Sequence, residues 1–279
     1  MILDLSNIQF SRGDLKKGIK LPQTITSGLA ELLGIHIGDG SMYKCGPSND
    51  SYVIRYYGHK IDDKAYFTVY LPKLIKDVFN SPSSKLDEYR GNEARITICS
   101  KAISEFYNKI FHIKYGNKTR DADIPALIKG ARAEIKCAFL RGLADTDFSI
   151  SFKKKSVKGL HKYPVISGLF ASKSIVKSAE DILKDIGIIP TVTYDIVSKR
   201  YEKAYLGHRI DINGRQNFDL WMKKIGFRNQ KHLTKILVWE KLGYCPPETN
   251  ILQRKLLLQE TSMGRVSIEL TTSGKLKSN

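Results

Sequence analysis

Between residues 26 and 38 the apolar side chains recur at helical spacing, with Leu29, Leu32, Leu33 and His36 on one side, and the pattern predicts a helix that ends near Asp39. The same pattern returns later in the chain. LAELLGIHIGDGSM (29–42) aligns with FLRGLADTDFSI (139–150), placing Gly34 over Gly142 and Asp39 over Asp147, 108 residues apart. Downstream, ARITICSKAISEFYNKI (94–110) parallels HRIDINGRQNFDLWMKKI (208–225), each reading as a strand followed by an amphipathic helix. Another helix lies between these landmarks in both halves. In the first it is AYFTVYLPKLIKDVFN, interrupted or started by Pro72; in the second it is SKSIVKSAEDILKDIG, with Ser172 or Ser174 as N-cap and Gly187 as its stop. Segments 52–57, 148–152, 165–170 and 192–197 are rich in β-branched and aromatic residues and predict strands. In one of them Phe148, Ile150 and Phe152 point to one face while Ser149, Ser151 and Lys153 point to the other, followed at once by Lys154 and Lys155.

Each half therefore reads αββαββα, and the fold class is α+β: a duplicated, pseudo-twofold pair of antiparallel sheets whose apolar faces are covered by helices. The boundaries expected are a basic N-terminal segment at 1–25, a first half at 26–130, a second half at 131–238 and a C-terminal extension at 239–279. In that extension Pro247 stands near a helix start, and the final TTSGKLKSN reads as frayed. Small residues four apart, Gly34 with Gly38 and Gly142 with Thr146, let two helix backbones approach closely, so the internal axis should pass between these helices. Asp39 and Asp147 then fall at two neighbouring helix C-termini, where backbone carbonyls already carry partial negative charge. Two carboxylates there repel unless a cation joins them, and hard ions such as Mg²⁺ favour oxygen ligands of this kind.

Charge narrows the choice of partner. Lys and Arg number 46 against 28 Asp and Glu, a formal net charge of +18. Nucleic acid accounts for that excess best, because each phosphate neutralised releases a condensed counterion. A membrane partner would call for a basic amphipathic helix, whereas here the basic residues are spread along the chain. No basic n-region with an apolar h-region opens the sequence and no long apolar run follows, so the expected location is cytoplasmic. Cys45, Cys99, Cys137 and Cys245 are far apart, which predicts reduced and mostly buried thiols rather than disulfides or a zinc site. There is no GxxxxGK[ST], HExxH or GxGxxG, so nucleotide and zinc chemistry are not indicated.

LLGIHIGDG and LRGLADTDF resemble the two LAGLIDADG motifs of single-chain homing endonucleases of the archaeal or intein-like branch, a likeness that covers residues 26–235. The resemblance implies two saddle-shaped sheets in adjacent major grooves of double-stranded DNA and Mg²⁺-dependent cleavage, with Ca²⁺ or Mn²⁺ as substitutes. It places the metal on Asp39 and Asp147, with the carbonyls of Gly38 and Thr146 as further ligands. GNKTRDADIP resembles the family's GxKT…IP stretch and offers Lys118, and IGFRNQKHLTKI resembles its second-half counterpart and offers Lys231, both to stabilise developing negative charge. Arg55, Tyr57, Arg95, Lys153, Lys154, Arg209, Asp211 and Asn213 are the candidate DNA contacts of the sheets, to base edges or equally to phosphates. Two positions depart from the motif. Ile37 stands where the second motif has Asp145, a position of structural rather than chemical use; Phe148 replaces the closing glycine supplied by Gly40, which predicts a distorted second centre. Met1 and the lack of a terminal His-Asn pair favour a free-standing or intron-encoded enzyme over an intact intein, and two motifs in one chain predict a monomer. The rival functions are an intron RNA maturase and a non-cleaving DNA-binding regulator.

Overall fold

The computed structural model describes residues 2–260 except 49, 84–85, 89–90, 117–119, 155–158 and 201–202. After a short helix α1 (Arg12–Lys17), the first half runs α2 (Ser27–Asp39), β1 (Gly40–Cys45), β2 (Ser51–His59), α3 (Leu71–Phe79), β3 (Asp87–Glu88), β4 (Glu93–Cys99) and α4 (Lys101–Phe111). A connecting turn of helix α5 (Ala126–Lys129) leads to the second half: α6 (Ala133–Asp147), β5 (Phe148–Lys154), β6 (His161–Phe170), α7 (Lys173–Asp185), β7 (Thr191–Arg200), β8 (Lys203–Ile212) and α8 (Arg215–Lys224). Two further helices, α9 (Gln230–Leu242) and α10 (Ile251–Glu260), complete the described chain. The sheets are antiparallel and four-stranded, ordered β1-β2-β4-β3 and β5-β6-β8-β7, so the duplication holds strand for strand.

Local chemistry sets the element ends. Thr26, Ser100 and Ser172 each accept a backbone N–H with the side-chain oxygen at the starts of α2, α4 and α7, satisfying a donor that a helix N-terminus otherwise leaves unpaired. Ser172, not Ser174, is the cap of α7, and Gly187 follows that helix in the left-handed region at φ 81°. Pro72 neither breaks its helix nor opens it: a π-helical turn, Tyr66–Tyr70, runs straight into α3. The widened turn leaves room where the proline ring would press on the carbonyl of the preceding turn. At α10 the start is set by a reciprocal cap, Asn250 accepting from Gln253 N–H at 3.0 Å and Gln253 accepting from Asn250 N–H at 2.9 Å; Pro247 lies before it and takes no part. Residues 261–279, which include TTSGKLKSN, lie outside the described residues.

Each sheet turns Met42, Ile54, Ile96 and Ile98, or Ile150, Ile166, Ile210 and Ile212, toward helices whose aromatic side chains fill the remaining space, Phe106 and Tyr107 on α4 and Phe218 and Trp221 on α8. The N-terminal segment is tied to this core. Asp14, buried, accepts from Ala102 N–H at 3.1 Å at the head of α4, and Leu3 donates to the Gln23 carbonyl at 2.8 Å. Two of the four thiols are buried, Cys137 and Cys245, while Cys45 is half-buried and Cys99 exposed, so the expectation of mostly buried thiols holds for half of them; all four are free. Among the described residues no helix is long and apolar enough to cross a membrane.

Candidate metal centre and nucleic-acid interface

The centre begins with the crossing of α2 and α6. A methyl carbon added at Gly34 would lie 2.1 Å from the carbonyl oxygen of Phe139 and 2.8 Å from the nitrogen of Leu143; one added at Gly142 would lie 2.0 Å from the oxygen of Glu31 and 3.0 Å from the nitrogen of Ile35. Those partners are themselves related by the 108-residue repeat, Glu31 with Phe139 and Ile35 with Leu143. The reciprocal contacts place a local twofold axis between the two glycines. Backbone touches backbone there, at a distance no side chain could share.

One turn further on, the same approach carries the acidic ends together. A methyl carbon at Gly38 would meet Thr146 Oγ1 at 2.1 Å and Asp147 Oδ2 at 2.2 Å, so the Asp147 carboxylate lies against the residue that immediately precedes Asp39. Asp39 and Asp147 are the last residues of their helices and both are half-buried. Among the described residues no cluster of three or more His, Cys, Asp or Glu side chains is positioned to enclose an ion. Two carboxylates and adjacent peptide carbonyls are thus the donors on offer, an all-oxygen set that suits Mg²⁺, which is ordinarily held by one or two carboxylates with water and substrate phosphates filling the shell.

Lys231 reaches this floor from α9. Its Nζ lies 3.4 Å from the Thr146 carbonyl oxygen and 3.1 Å from Asp63 Oδ1. Lys118 lies outside the described residues; Gly116, just before it, donates its N–H to the Met42 carbonyl at 2.8 Å on β1. The head of α9, which carries Lys231, is braced from both halves. Asn229 Nδ2 donates to Asp63 Oδ1 at 2.6 Å and to the Asp145 carbonyl at 3.1 Å, and Asp145 accepts the N–H groups of Arg228 and Asn229 at 3.0 Å each. Asp145 is fully buried, and burial pushes its carboxyl up to about 7 despite those hydrogen bonds. The structure thus gives Asp145 a bracing contact at the position where the first half has buried Ile37, 7% exposed. Between the halves, Glu31, 3% exposed, accepts from Arg141 Nε at 3.0 Å and Nη2 at 2.6 Å and from the Tyr70 hydroxyl. Nothing local in the sequence marks Asp63, Asn229, Glu31 or Arg141, because each pair, 63 with 229 and 31 with 141, meets only in the folded chain.

Phe148 does not distort its turn. Gly40 has φ −85° and ψ 151°, Phe148 has φ −91° and ψ 158°, and both are ordinary extended residues, so the glycine's left-handed freedom is unused. The ring is housed over Gly168, the cross-strand partner of Phe148, where a methyl carbon would lie 1.8 Å from Phe148 Cε1.

The outward sheet faces carry most of the expected contacts. On the first sheet Ser41, Arg55 and Thr97 form one cross-strand row and Tyr57, Arg95 and Asp87 the next. Arg55 stacks on Tyr43, 5.1 Å from the ring centre, and Arg95 Nε donates to Asp87 at 2.8 Å. On the second sheet Ser149, Ser167, Asp211 and Thr191 share a row, with Lys153 further out on β5 and Arg209 between Leu169 and Thr193. Asp211 accepts from the Ser167 hydroxyl. Lys154 sits at a register shift and borders a cleft of about 910 Å³ behind the sheet with His161 and Lys235. Asn213 lies beyond the end of β8, and its carbonyl accepts from Asn217 at 2.9 Å, so it belongs to the turn into α8 and not to the sheet.

Two αββαββα units joined through acidic helices that touch at glycine define a class: this chain has the fold of the LAGLIDADG homing endonucleases. It is similar to the solved structure of I-DmoI in complex with DNA and Mn, at TM-score 0.50 and 17% identity, covering 73% of this chain and 98% of that one. A mesophilic variant of the homing endonuclease I-DmoI is 20% identical over 72% of this chain and 96% of its own, at TM-score 0.49. In sequence the chain is 24% identical over 218 residues, 78% of its length, to a glutamine–fructose-6-phosphate aminotransferase [isomerizing] of Methanocaldococcus jannaschii, and it spans 18% of that relative's length. No protein-family model matches the chain.

Proposed function

We propose that this chain is a site-specific endonuclease that grips duplex DNA with its two sheets and hydrolyses phosphodiesters using divalent metal held at Asp39 and Asp147. The observation that carries the reading is the reciprocal packing of Gly34 and Gly142, because it sets the C-terminal ends of two acidic helices side by side, with the Asp147 carboxylate against Gly38. A pure binder gains nothing from crowding two negative charges beneath a polyanion. The fold supports DNA as the partner, as does the net charge of +18. The solved relative I-DmoI holds DNA and Mn together.

Mg²⁺ bound by Asp39, Asp147 and the carbonyls of Gly38 and Thr146 would supply a Lewis acid for the attacking water and for the departing oxygen. The chain's own residues do the rest. Lys231, held between Asp63 and the Thr146 carbonyl, places a positive charge beside the scissile phosphate, where negative charge grows as the bond breaks. Lys118 is the first-half candidate for the same task. Arg55, Tyr57 and Arg95 on one sheet, and Lys153, Arg209 and Asp211 on the other, seat the duplex so that each strand meets one acidic residue, with Lys154 and Asn213 left to flanking backbone. Both half-sites are met by one chain, so the working unit is a monomer.

The test is a supercoiled plasmid carrying the uninterrupted host locus, incubated with the protein in Mg²⁺ or in chelator. Linear product only in Mg²⁺ is expected. A shifted but uncut plasmid would make the protein a regulator, and activity only with intron RNA would make it a maturase.

A further inference from the structure

The two outward faces differ in one chemical respect. Large exposed hydrophobic side chains are absent from β1, β2, β3 and β4, among the described residues, whereas the second sheet exposes Leu169 at 56% on β6 and, toward the β7–β8 end, Val197 at 64%, Tyr205 at 50% and Leu206 at 53%. Leu169 alternates with buried Gly168 and Phe170, so it points away from the core and stands across from Arg209. Its Cδ1 leans over Gly207, 3.1 Å from where a methyl carbon there would sit. A side chain at 207 would lift the leucine off the sheet; glycine lets it lie flat. Ile196 is directly across from Gly207 on the other side. It reaches this face through a bulge: Thr193 pairs with Arg209 and Ile196 with Gly207, and Asp195 in between takes φ 57°. Without the extra residue Ile196 would turn to the opposite face.

We infer that this aliphatic shelf, Leu169 lying over Gly207 with Ile196 across the strand from it, recognises thymine methyl groups in the major groove, so that the half-site under β5–β8 is set by thymines while Arg55 and Arg95 read the other half. The inference rests on the DNA-binding reading above and adds the base chemistry to it. The thymine methyl is the apolar group that a base pair offers in the major groove, and aliphatic contact is how it is read. The shelf is continuous with Arg209 and Asp211 at one end and with Tyr205, on the same face of β8, at the other. A stable protein partner would need an interface of roughly 1,200 Å² or more.

The test uses the full chain in Ca²⁺ and a pool of randomised duplex DNA. Sequences retained by the protein are determined, and the best duplex is remade with deoxyuridine for thymidine in one half at a time. Because uracil lacks only the methyl, each contacted position should lose about fourfold in affinity. The loss should be confined to the half whose preference is untouched by Arg55→Ala, and Leu169→Ala should bind thymidine and deoxyuridine duplexes alike. Equal losses in both halves, no loss in either, or discrimination that survives Leu169→Ala would overturn the inference while leaving DNA binding intact. A pool with no enrichment would overturn the underlying reading, and self-association abolished by Leu169→Ala would make the shelf a contact between copies.

Discussion

The turn after each acidic helix is built twice, with the bulk moved from place to place. In the first half Gly40 faces Tyr56, and the His36 ring lies 5.6 Å from Tyr56 and 4.9 Å from Tyr107. In the second half the repeat places Ala144 where His36 stands, Phe148 replaces Gly40, Gly168 takes the cross-strand position of Tyr56, and the Phe148 ring lies 5.8 Å from Trp221. Large and small have changed partners while the backbone angles stay within a few degrees. A duplicated core can diverge in this way because close packing constrains the summed volume at a site more than the identity of each residue. The motif's closing glycine is therefore one solution among two.

Symmetry is strict where backbone meets backbone and relaxed where side chains meet. The strict part predicts the largest effect: Gly34→Val and Gly142→Val should each cost about 4 kcal/mol or more, and alike, because each intrudes on a carbonyl that cannot move away. Denaturant titration would expose an unequal pair and so break the twofold account. Next comes the one-sided ion pair. Arg141→Leu strands buried Glu31 and should cost about 3–5 kcal/mol, whereas adding Glu31→Leu, which makes the site resemble its apolar counterparts Leu33 and Phe139, should recover most of it. Gly168→Ala comes third: about 1–3 kcal/mol in the native background and less with Phe148→Ala, since the two closest clashes are with that ring and only Phe170 Cε2, at 2.7 Å, remains. A double-mutant cycle with no coupling would refute the exchange of bulk. The smallest effect belongs to His232 on α9. Burial holds its imidazole well below the ordinary histidine range. The folded protein keeps it neutral while the unfolded chain gains a proton, so His232 should subtract about 1 kcal/mol of stability between pH 6.5 and 5.5, read as the difference in slope between the native protein and His232→Phe, because Asp145, held up to about 7, contributes with the opposite sign over the same window.

Periodicity was enough to find the repeat, the strands and the helix pair, because each rests on local patterns of burial that recur in order. Ser172 is legible as one of two candidate caps, from its place just before the apolar pattern of α7. Pro72 was harder, since a proline marks a disturbance without saying that a π-helical turn will absorb it. At α10 the Asn250 and Gln253 pair carried its own signal three residues apart, and the nearby proline outweighed it. Phe148 misleads within the motif because its accommodation depends on Gly168 across the strand, and the motif does not contain that partner. The bracing of Lys231 by Asp63 was beyond reach for a deeper reason: residues so distant in the chain meet only after the helices have crossed.

On the proposed reading two helices, touching at Gly34 and Gly142, set Asp39 and Asp147 to work on one duplex. Asp39→Asn and Asp147→Asn, tested singly for cleavage of supercoiled plasmid and for binding to the same site, probe it most directly. Each variant should still bind and should leave at least one strand uncut; linear product formed at the native rate by either would contradict the account.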